Sequence, residues 1–216
     1  MIGRMPEPAI TVVHADATLV VVDKPSGLLA VPGRGPALAD CVASRMCSLY
    51  PDALVVHRLD MATSGLMLLA RGAAVQRALS LQFAQRSVAK TYVALVAGRP
   101  AQDEGEIDLT LIADWPQRPK QKVDAVHGKP SLTRFRVIDH DQARDICRLE
   151  LNPVTGRSHQ LRVHLLAIGH PILGDALYAP AEVQALAPRL MLHAARLGFE
   201  HPVSGEAIEF ESGVPF

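Results

Sequence analysis

Residues 54–70 read LVVHRLDMATSGLMLLA, two apolar segments joined by a polar turn. We expect LVVHRL and GLMLLA to form strands, with MATSG as the turn between them. Asp60 ends the first segment and is the only acidic residue from Ala53 to Gln102, a stretch with six Lys or Arg residues. A carboxylate fixed at such a junction can act as a base, a metal ligand or a nucleophile, or it can be a salt-bridged turn residue. The residues alone leave these alternatives open.

Short β-rich segments dominate the rest of the chain. AITVVHA and TLVVVDKP predict a hairpin, and KTYVALVAG, TRFRVIDH and DICRLELNPV predict further strands. RLMLHAARLGF and AIEFE are expected to pair across the turn at Ser204–Gly205. Helical spacing predicts one short helix that ends before Pro51 and an amphipathic helix from about Ala73 to Gln85. Because strands outnumber helices and do not alternate regularly with them, we expect an α+β fold with a mainly antiparallel sheet.

The length and composition limit the class of protein. A chain of 216 residues with 49% apolar residues is typical of one large domain or two packed lobes. No apolar run is long enough to predict a membrane span, and MIGRMPEPAI lacks the apolar core of a signal peptide. The three cysteines are odd in number and form no C-x-x-C pair. This argues against disulfides and structural zinc and favours the cytoplasm.

The formal net charge is zero, but the charges are unevenly distributed. From Ala53 to Gln102 the balance is +5, and from Trp115 to Arg136 six basic residues and Asp124 again give +5. From Pro171 to the end, two basic and six acidic residues give −4. A basic face opposite an acidic back fits a polyanion ligand. The alternative is that these are ordinary solvated side chains.

A second group of polar residues lies in the segment TGRSHQLRVH. Ser158 is expected to cap a helix there, with Arg157 just before the cap. His159 and Arg162 are three residues apart, so they are expected to share one face of the helix. Phosphate binding and pairing with Asp60 both follow from this arrangement. The alternative is a surface helix with ordinary charges.

Other kinds of site lack support in the sequence. The spacing of His159, His164 and His170 matches no common set of zinc ligands, and H-E-x-x-H does not occur. The chain has no P-loop and no G-x-G-x-x-G after a strand, so a nucleotide cofactor is not indicated. The absence of G-x-S-x-G argues against an α/β-hydrolase.

Three motifs of this chain resemble those of the RluA-type pseudouridine synthases, in the order of that family. They are VVDKPSGLLAVPG, HRLDMATSGLMLLA and GRSHQLRVHLLAIGHPILGDALY. The resemblance implies a mixed, mainly antiparallel central sheet flanked by helices and loops, with an active-site cleft across it. It also implies a single catalytic domain over residues 1–216, without a separate S4-like RNA-binding domain. The implied function is that of an RNA pseudouridine synthase, an isomerase that needs neither cofactor nor metal.

The resemblance also assigns roles to individual residues. Asp60 matches the essential aspartate of the family, Arg162 the arginine that pairs with it, and Tyr92 the tyrosine beside the uracil. Arg58 matches an arginine that takes the place of the flipped target base. Extruding a base costs a few kcal/mol, and stacking of a guanidinium on the neighbouring bases can offset part of that cost. Whether Asp60 acts as a nucleophile or as a base stays open.

The expected partner is RNA. The segment DWPQRPKQKV is expected to be an exposed basic loop or extended finger that grips the loop of an RNA hairpin. The residues expected to contact RNA are Arg58, Arg118, Lys120, Lys122, Arg157 and His159. Within the family, the short chain and this segment resemble members that modify both a tRNA anticodon stem-loop and a 23S-type rRNA hairpin. The resemblance therefore implies both RNAs as partners, a monomer, and no membrane or small-molecule cofactor.

Two other functions are kept as alternatives. A non-catalytic RNA-binding protein or RNA chaperone could use the same basic surface. A glycoside-bond hydrolase could use Asp60 together with a second acid, and Asp175 is the candidate for that acid.

Overall fold

A computed structural model of the protein describes residues 9–216. The strands are β1 Thr11–Ala15, β2 Leu19–Lys24, β3 Ala53–Val55, β4 Ser64–Arg71, β5 Ala89–Ala97, β6 Glu104–Ala113, β7 Gln121–Val123, β8 Lys129–Asp141, β9 Ile146–Pro153, β10 Leu192–Glu200 and β11 Ala207–Glu211. The α-helices are α1 Val42–Leu49, α2 Ala73–Gln85, α3 Gln160–Ala167 and α4 Ala181–Gln184. Strands outnumber helices, and the strand pairs with a defined register are antiparallel. The predicted α+β class is confirmed. None of the described helices is long and apolar enough to cross a membrane.

The chain divides into two compact units. The first unit contains the described residues up to Val88 together with Arg196–Gly213. Strand β2 lies between β1 and β4, the short strand β3 also pairs with β4, and β11 pairs with β10. Helix α2 covers a core to which every second residue of β2 and β4 contributes. The apolar face predicted for α2 is confirmed, since Leu79 is buried and Val75 and Phe83 pack against this core.

The second unit contains Ala89–Ala195 and Val214–Phe216. Its strands are ordered β5-β9-β8-β6-β7. The loop after β6 includes a 3-10 helix at Trp115–Gln117 and returns along β6 as strand β7. We call residues 114–128 the finger. The basic segment predicted as a loop or finger is therefore the end of a hairpin.

Two local predictions are wrong, and each has a physical reason. The segment LVVHRL is a strand only as far as Val55. The Nε2 atom of His57 accepts the backbone N–H of Leu68 at 2.9 Å, and the His57 ring stacks on Phe83 at 4.6 Å. The imidazole thus accepts a backbone N–H of β4. At this point the chain turns away from the direction of β3.

The second correction concerns the start of α3. His159, in a left-handed conformation, is the N-cap residue, and Ser158 lies outside the helix. The side chain of Gln160 folds back instead, and its oxygen accepts the N–H of Arg157 at 3.0 Å. The helix is also buried over Gln160–Leu165, so the alternative of an ordinary surface helix is wrong.

The buried face of α3 includes a histidine. His164 is fully buried, and its Nε2 lies 2.9 Å from the hydroxyl of Ser131. Since Ser131 donates its own proton to the carbonyl of Leu109, Nε2 must be the protonated nitrogen. Nδ1 has no hydrogen-bond partner among the described residues. Burial lowers the pKa of His164 to about 4, although Asp108 acts in the opposite direction.

We predict that this histidine makes folding sensitive to acid. A buried base with a lowered pKa is neutral in the folded state, so its contribution is fully present above the unfolded pKa of about 6.5 and is lost as the pH falls towards 4. Urea unfolding at about pH 7 and about pH 4.5 should show a loss of up to about 3 kcal/mol from His164 alone. His164→Leu should have a flatter pH dependence, whereas His127→Leu, at an exposed position, should match the wild type. Equal pH slopes for all three proteins would contradict this origin.

Candidate active site

Asp60 lies in the loop between β3 and β4 in the first unit and is half-buried. Its backbone carbonyl accepts the N–H of Thr63 at 3.1 Å, which closes a tight turn. On one side of Asp60, Leu59 is only 7% exposed and anchors the loop in the core. Arg58, the next residue back, is exposed. The buried Leu59 side chain therefore lies between an exposed arginine and a half-buried aspartate.

The side chain of Lys24 fixes this loop. Lys24 ends β2 and is fully buried. Its ammonium group donates to three backbone carbonyls, those of Pro25 at 2.9 Å, Leu28 at 2.7 Å and Met61 at 3.0 Å. Met61 directly follows Asp60. All three donors of the ammonium are satisfied, and one of them holds the carbonyl beside the candidate catalytic residue.

The loop after Lys24 adds two more bonds to the Asp60 loop. The N–H of Gly27 donates to the same carbonyl of Met61 at 2.9 Å, and the hydroxyl of Ser26 donates to the carbonyl of Ala62 at 2.7 Å. Gly27 has a φ of +88°, which disfavours a residue with a side chain. The segments KPSG and DMA are thus joined by direct contacts, and the position of Asp60 depends on both.

The charge of Lys24 is affected by its surroundings. Burial lowers its pKa to about 8, while the carboxylates of Asp60 and Asp23 act in the opposite direction. The lysine thus stays mainly protonated at neutral pH and lies close enough to Asp60 for the two charges to interact. No role was predicted for Lys24 from the sequence. Lys24 lies on the same face of β2 as Val20 and Val22, but every residue from Leu19 to Val22 is buried, so alternation along the strand gave no signal for it.

Arg162 occupies an equally buried position in the second unit. It is 4% exposed and Asp175 is 1% exposed. Nε of Arg162 donates to Asp175 at 2.8 Å and its second terminal nitrogen donates at 2.6 Å, which makes a bidentate pair. Asp175 also accepts the backbone N–H groups of Leu177 and Tyr178 at 2.9 and 3.2 Å. The carboxylate that the hydrolase alternative requires as a second acid is therefore held by four donors.

The turn that carries Asp175 depends on the glycine before it. Gly174 has a φ of +70°, and a Cβ atom there would lie 1.9 Å from the carbonyl oxygen of Arg189. Only glycine allows the two backbone segments to approach so closely. This close approach explains why a glycine precedes Asp175 in the GHPILGDALY motif. The resulting turn places the Asp175 carboxylate against Arg162.

Tyr178 brings two of the predicted residues together. Its hydroxyl lies 2.6 Å from Nδ1 of His159, and the guanidinium carbon of Arg162 lies 5.0 Å from the centre of its ring. No role was predicted for this tyrosine from the sequence. Tyr92, the predicted site tyrosine, lies half-buried on β5 opposite Leu151.

The finger carries the other predicted RNA contacts. The guanidinium of Arg118 stacks on the ring of Trp115 at 3.1 Å, and Trp115 is 66% exposed. Lys122 is exposed and Lys120 is half-buried, while Arg157 is exposed outside the finger. These side chains give the finger and its base a basic surface.

Not every basic residue of the +5 segment contributes to that surface. Arg134 pairs with Glu106 at 2.8 Å, and Arg136 pairs with Glu150 at 3.1 Å. Both pairs cross neighbouring strands of the sheet. The count of charges along the sequence therefore overstates the number of cations available to a polyanion.

The predicted residues are distributed over both units. Asp60 and Arg58 lie in the first unit, and Tyr92, Arg162 and the remaining candidates lie in the second. Within the second unit, His159 and Arg162 both contact Tyr178. The interactions of Asp60 described above belong to its own unit and centre on Lys24.

The fold places the protein among the RNA pseudouridylate synthases. The solved structure of human RNA Pseudouridylate Synthase Domain Containing 1 is similar, with a TM-score of 0.80 and 28% identity, over 99% of this chain and 87% of that one. The sequence model described as RNA pseudouridylate synthase matches residues 18–167, which include parts of both units. The chain belongs to the RNA pseudouridylate synthase family.

Its relatives include bacterial enzymes named Dual-specificity RNA pseudouridine synthase RluA. The enzyme of Escherichia coli strain K12 is 50% identical over 210 residues, which cover 97% of this chain and 95% of that protein. The enzyme of Yersinia pestis is 52% identical over 205 residues, 95% of this chain and 99% of that protein. The predicted RluA-type resemblance and the predicted activity, that of an isomerase acting on RNA, are confirmed. The alternative of a non-catalytic RNA-binding protein is not favoured.

We predict that Lys24→Met lowers both stability and turnover. Methionine fills similar space but leaves the carbonyls of Pro25 and Leu28 without this donor, while that of Met61 keeps only the N–H of Gly27. The loss should cost about 2–3 kcal/mol in the free energy of unfolding. Turnover should fall at saturating RNA because the Asp60 loop loses its anchor. Lys129→Met replaces an exposed lysine and should stay within about 0.5 kcal/mol of the wild type. Chemical unfolding and single-turnover pseudouridine formation measure the two effects, and wild-type values for Lys24→Met in both would remove Lys24 from this role.

Proposed function

We propose that this protein isomerises specific uridines in the loops of two structured RNAs, a tRNA anticodon stem-loop and a large-subunit rRNA hairpin. The observation that carries the proposal is the HRLDMATSG loop, in which Asp60 is held beside a buried cation. The dual-specificity name of its bacterial relatives supports two substrates rather than one.

The reaction itself defines what the site must do. The N1–C1′ bond of uridine breaks, the uracil turns, and a C5–C1′ bond forms. C5 then loses a proton and N1 gains one, so product and substrate are isomers. No electron is transferred to another group and nothing leaves, and we propose that the chain needs neither a cofactor nor a metal. A group that holds the sugar or the base during the turn is required.

Asp60 is the proposed holding group. An ionised carboxylate can attack the ribose or the uracil ring, or it can remove a proton from the ribose. The carboxylate of Asp60 lies close enough to the Lys24 ammonium for the two charges to interact. We propose Tyr92 and Arg162 as further catalytic residues on the strength of the motif match. The bidentate pair with Asp175 fixes the guanidinium of Arg162 in one orientation.

The target uridine must leave its stack to reach a carboxylate in a loop. Arg58 is exposed and lies two residues before Asp60, so its guanidinium is available to fill the gap that the uridine leaves. Guanidinium planes stack on bases, and this contact offsets part of the unstacking cost. We propose that Arg58 contributes in this way to base flipping.

The remaining contacts are proposed to hold the RNA backbone and loop. Arg118, Lys120 and Lys122 lie on or beside the tip of the finger, and Arg157 and His159 lie at the start of α3. Hairpin loops suit such recognition because their bases can be splayed out. We further propose one catalytic domain over residues 1–216, a monomer, and a cytoplasmic location that matches the free cysteines Cys41, Cys47 and Cys147.

The test of this function is mass-spectrometric mapping of pseudouridine. Two transcripts, a tRNA anticodon stem-loop and an rRNA hairpin with the same loop sequence, are incubated with wild type, Asp60→Asn and Asp52→Asn. We expect the wild type to modify both transcripts and Asp60→Asn to modify neither, because an amide cannot supply the negative charge. RNA affinity of Asp60→Asn should stay within a few-fold of wild type. Asp52→Asn alters an exposed carboxylate of the same unit and should keep full activity.

Each outcome has a distinct meaning. Appreciable turnover by Asp60→Asn would remove this residue from the catalytic role. Modification of one transcript alone would keep the chemistry and restrict the substrate. Binding of both transcripts without modification would contradict the choice of substrates.

We also predict a steep loss of RNA affinity with salt, since bound lysines displace counterions from phosphates. Arg118→Ala, at an exposed residue of the finger, should reduce the slope of log K against log salt by about one. Arg134→Ala lies in the same charged segment, but Arg134 is paired with Glu106, so its slope should stay close to that of the wild type. Filter binding over a series of salt concentrations measures all three slopes. A flat plot for the wild type would show that the basic segments do not face RNA.

A further inference from the structure

Tyr178 links three parts of the second unit. Its hydroxyl accepts the backbone N–H of Gln121 at 2.8 Å and lies 2.6 Å from Nδ1 of His159. Its ring lies under the guanidinium of Arg162, with 5.0 Å from the guanidinium carbon to the ring centre. Its own N–H donates to Asp175 at 3.2 Å. One side chain therefore contacts the finger, the start of α3 and the buried ion pair.

The bond to Gln121 is placed where the finger returns to the sheet. Gln121 is the first residue of β7, which pairs with β6 over only three residues. The hydroxyl of Tyr178 accepts the backbone N–H of Gln121 and still has a proton and a second lone pair for the bond with Nδ1 of His159. One hydroxyl can therefore serve both partners. The short ladder of β7 gains an anchor from outside the hairpin.

We propose that Tyr178 is a positioning residue that fixes the finger and the side chain of Arg162 relative to each other. The hydroxyl fixes the finger at Gln121, and the ring packs against the guanidinium of Arg162, which Asp175 binds through its nitrogen atoms. The proposal rests on the proposed function, since it takes the finger to bind RNA and Arg162 to act in turnover. It adds that binding at the finger and geometry at Arg162 depend on different atoms of one residue.

Tyr178→Phe separates the two roles. It removes the hydroxyl and its hydrogen bonds to Gln121 and His159 while the ring remains under Arg162. Tyr178→Leu removes the ring as well. Tyr50→Phe is the matched control, because Tyr50 is a half-buried tyrosine in the first unit whose ring contacts Arg71. Circular dichroism and thermal unfolding establish that all the variants fold.

The finger contains its own spectroscopic probe. Trp115 is the only tryptophan of the sequence, so time-resolved fluorescence anisotropy of the free protein reports motion of the finger without any RNA. We expect Tyr178→Phe to enlarge the fast component of the decay, since the finger has lost an anchor. Tyr50→Phe should give the wild-type decay. A role of Tyr178 in stability alone would not change this motion in the folded protein.

Steady-state kinetics on the RNA hairpin supply the second readout. Loss of one hydrogen bond at the finger should raise KM about fivefold in Tyr178→Phe and leave kcat within about twofold of wild type. Tyr178→Leu should raise KM similarly and lower kcat about tenfold, since Arg162 loses its cation–π contact. The split between KM and kcat identifies which atoms serve the finger and which serve Arg162.

The outcomes separate this proposal from the proposed function. If the wild type modifies RNA but Tyr178→Phe changes neither the Trp115 anisotropy nor KM, the link is wrong and the function stands. If the wild type modifies neither transcript while the anisotropy of Tyr178→Phe changes, the link between Tyr178 and the finger stands and the proposed substrates fail. Equal losses of kcat in Tyr178→Phe and Tyr178→Leu would overturn the separate role of the ring.

Discussion

The ammonium group of Lys24 has no contact with solvent and donates to three backbone carbonyls. Removing a charge from water costs several kcal/mol unless polar groups surround it, so those carbonyls must converge on one point. Lys24 pairs with Gly65 across strands β2 and β4, which brings the loop after β2 and the loop before β4 to the same end of the sheet. The Asp60 loop has few ladder bonds of its own. Its geometry is therefore a consequence of how this one cation is solvated by the protein.

The second unit also contains a buried cation, but a carboxylate rather than backbone carbonyls stabilises it. Arg162 is buried in a helix, and Asp175 comes from a turn that only Gly174 permits. The planar guanidinium binds the carboxylate through two parallel bonds, which fixes an orientation as well as a position. A lysine offers three donors around one point and suits carbonyls that arrive from several directions. A lysine therefore suits the three backbone carbonyls in the first unit, and an arginine suits the single carboxylate of Asp175 in the second.

Local patterns predicted the regular elements well. The bounds of α2, the β1–β2 hairpin and the pairing of β10 with β11 follow from periodicity and turn residues that act over a few positions. The failures lie where a side chain competes with the backbone. His57 accepts a backbone N–H of β4 just beyond the end of β3. Helix α3 begins after His159 without a side-chain cap, and the side chain of Gln160 instead accepts the N–H of Arg157, outside the helix. Such competition depends on a partner that is distant in sequence or on a conformation that residue type does not determine.

The sequence by itself determined the class of fold, the family and the candidate residues, because motifs and periodicity are properties of contiguous residues. It singled out Asp60 by its isolation among cations, and Arg162 by its motif. Only the tertiary structure showed which cations are buried and what holds them. The contacts of Lys24 with Met61, of Arg162 with Asp175 and of Gln121 with Tyr178 join residues far apart in the chain. No local pattern encodes these pairings, since each exists only after the chain has folded back and brought its two partners to the same place.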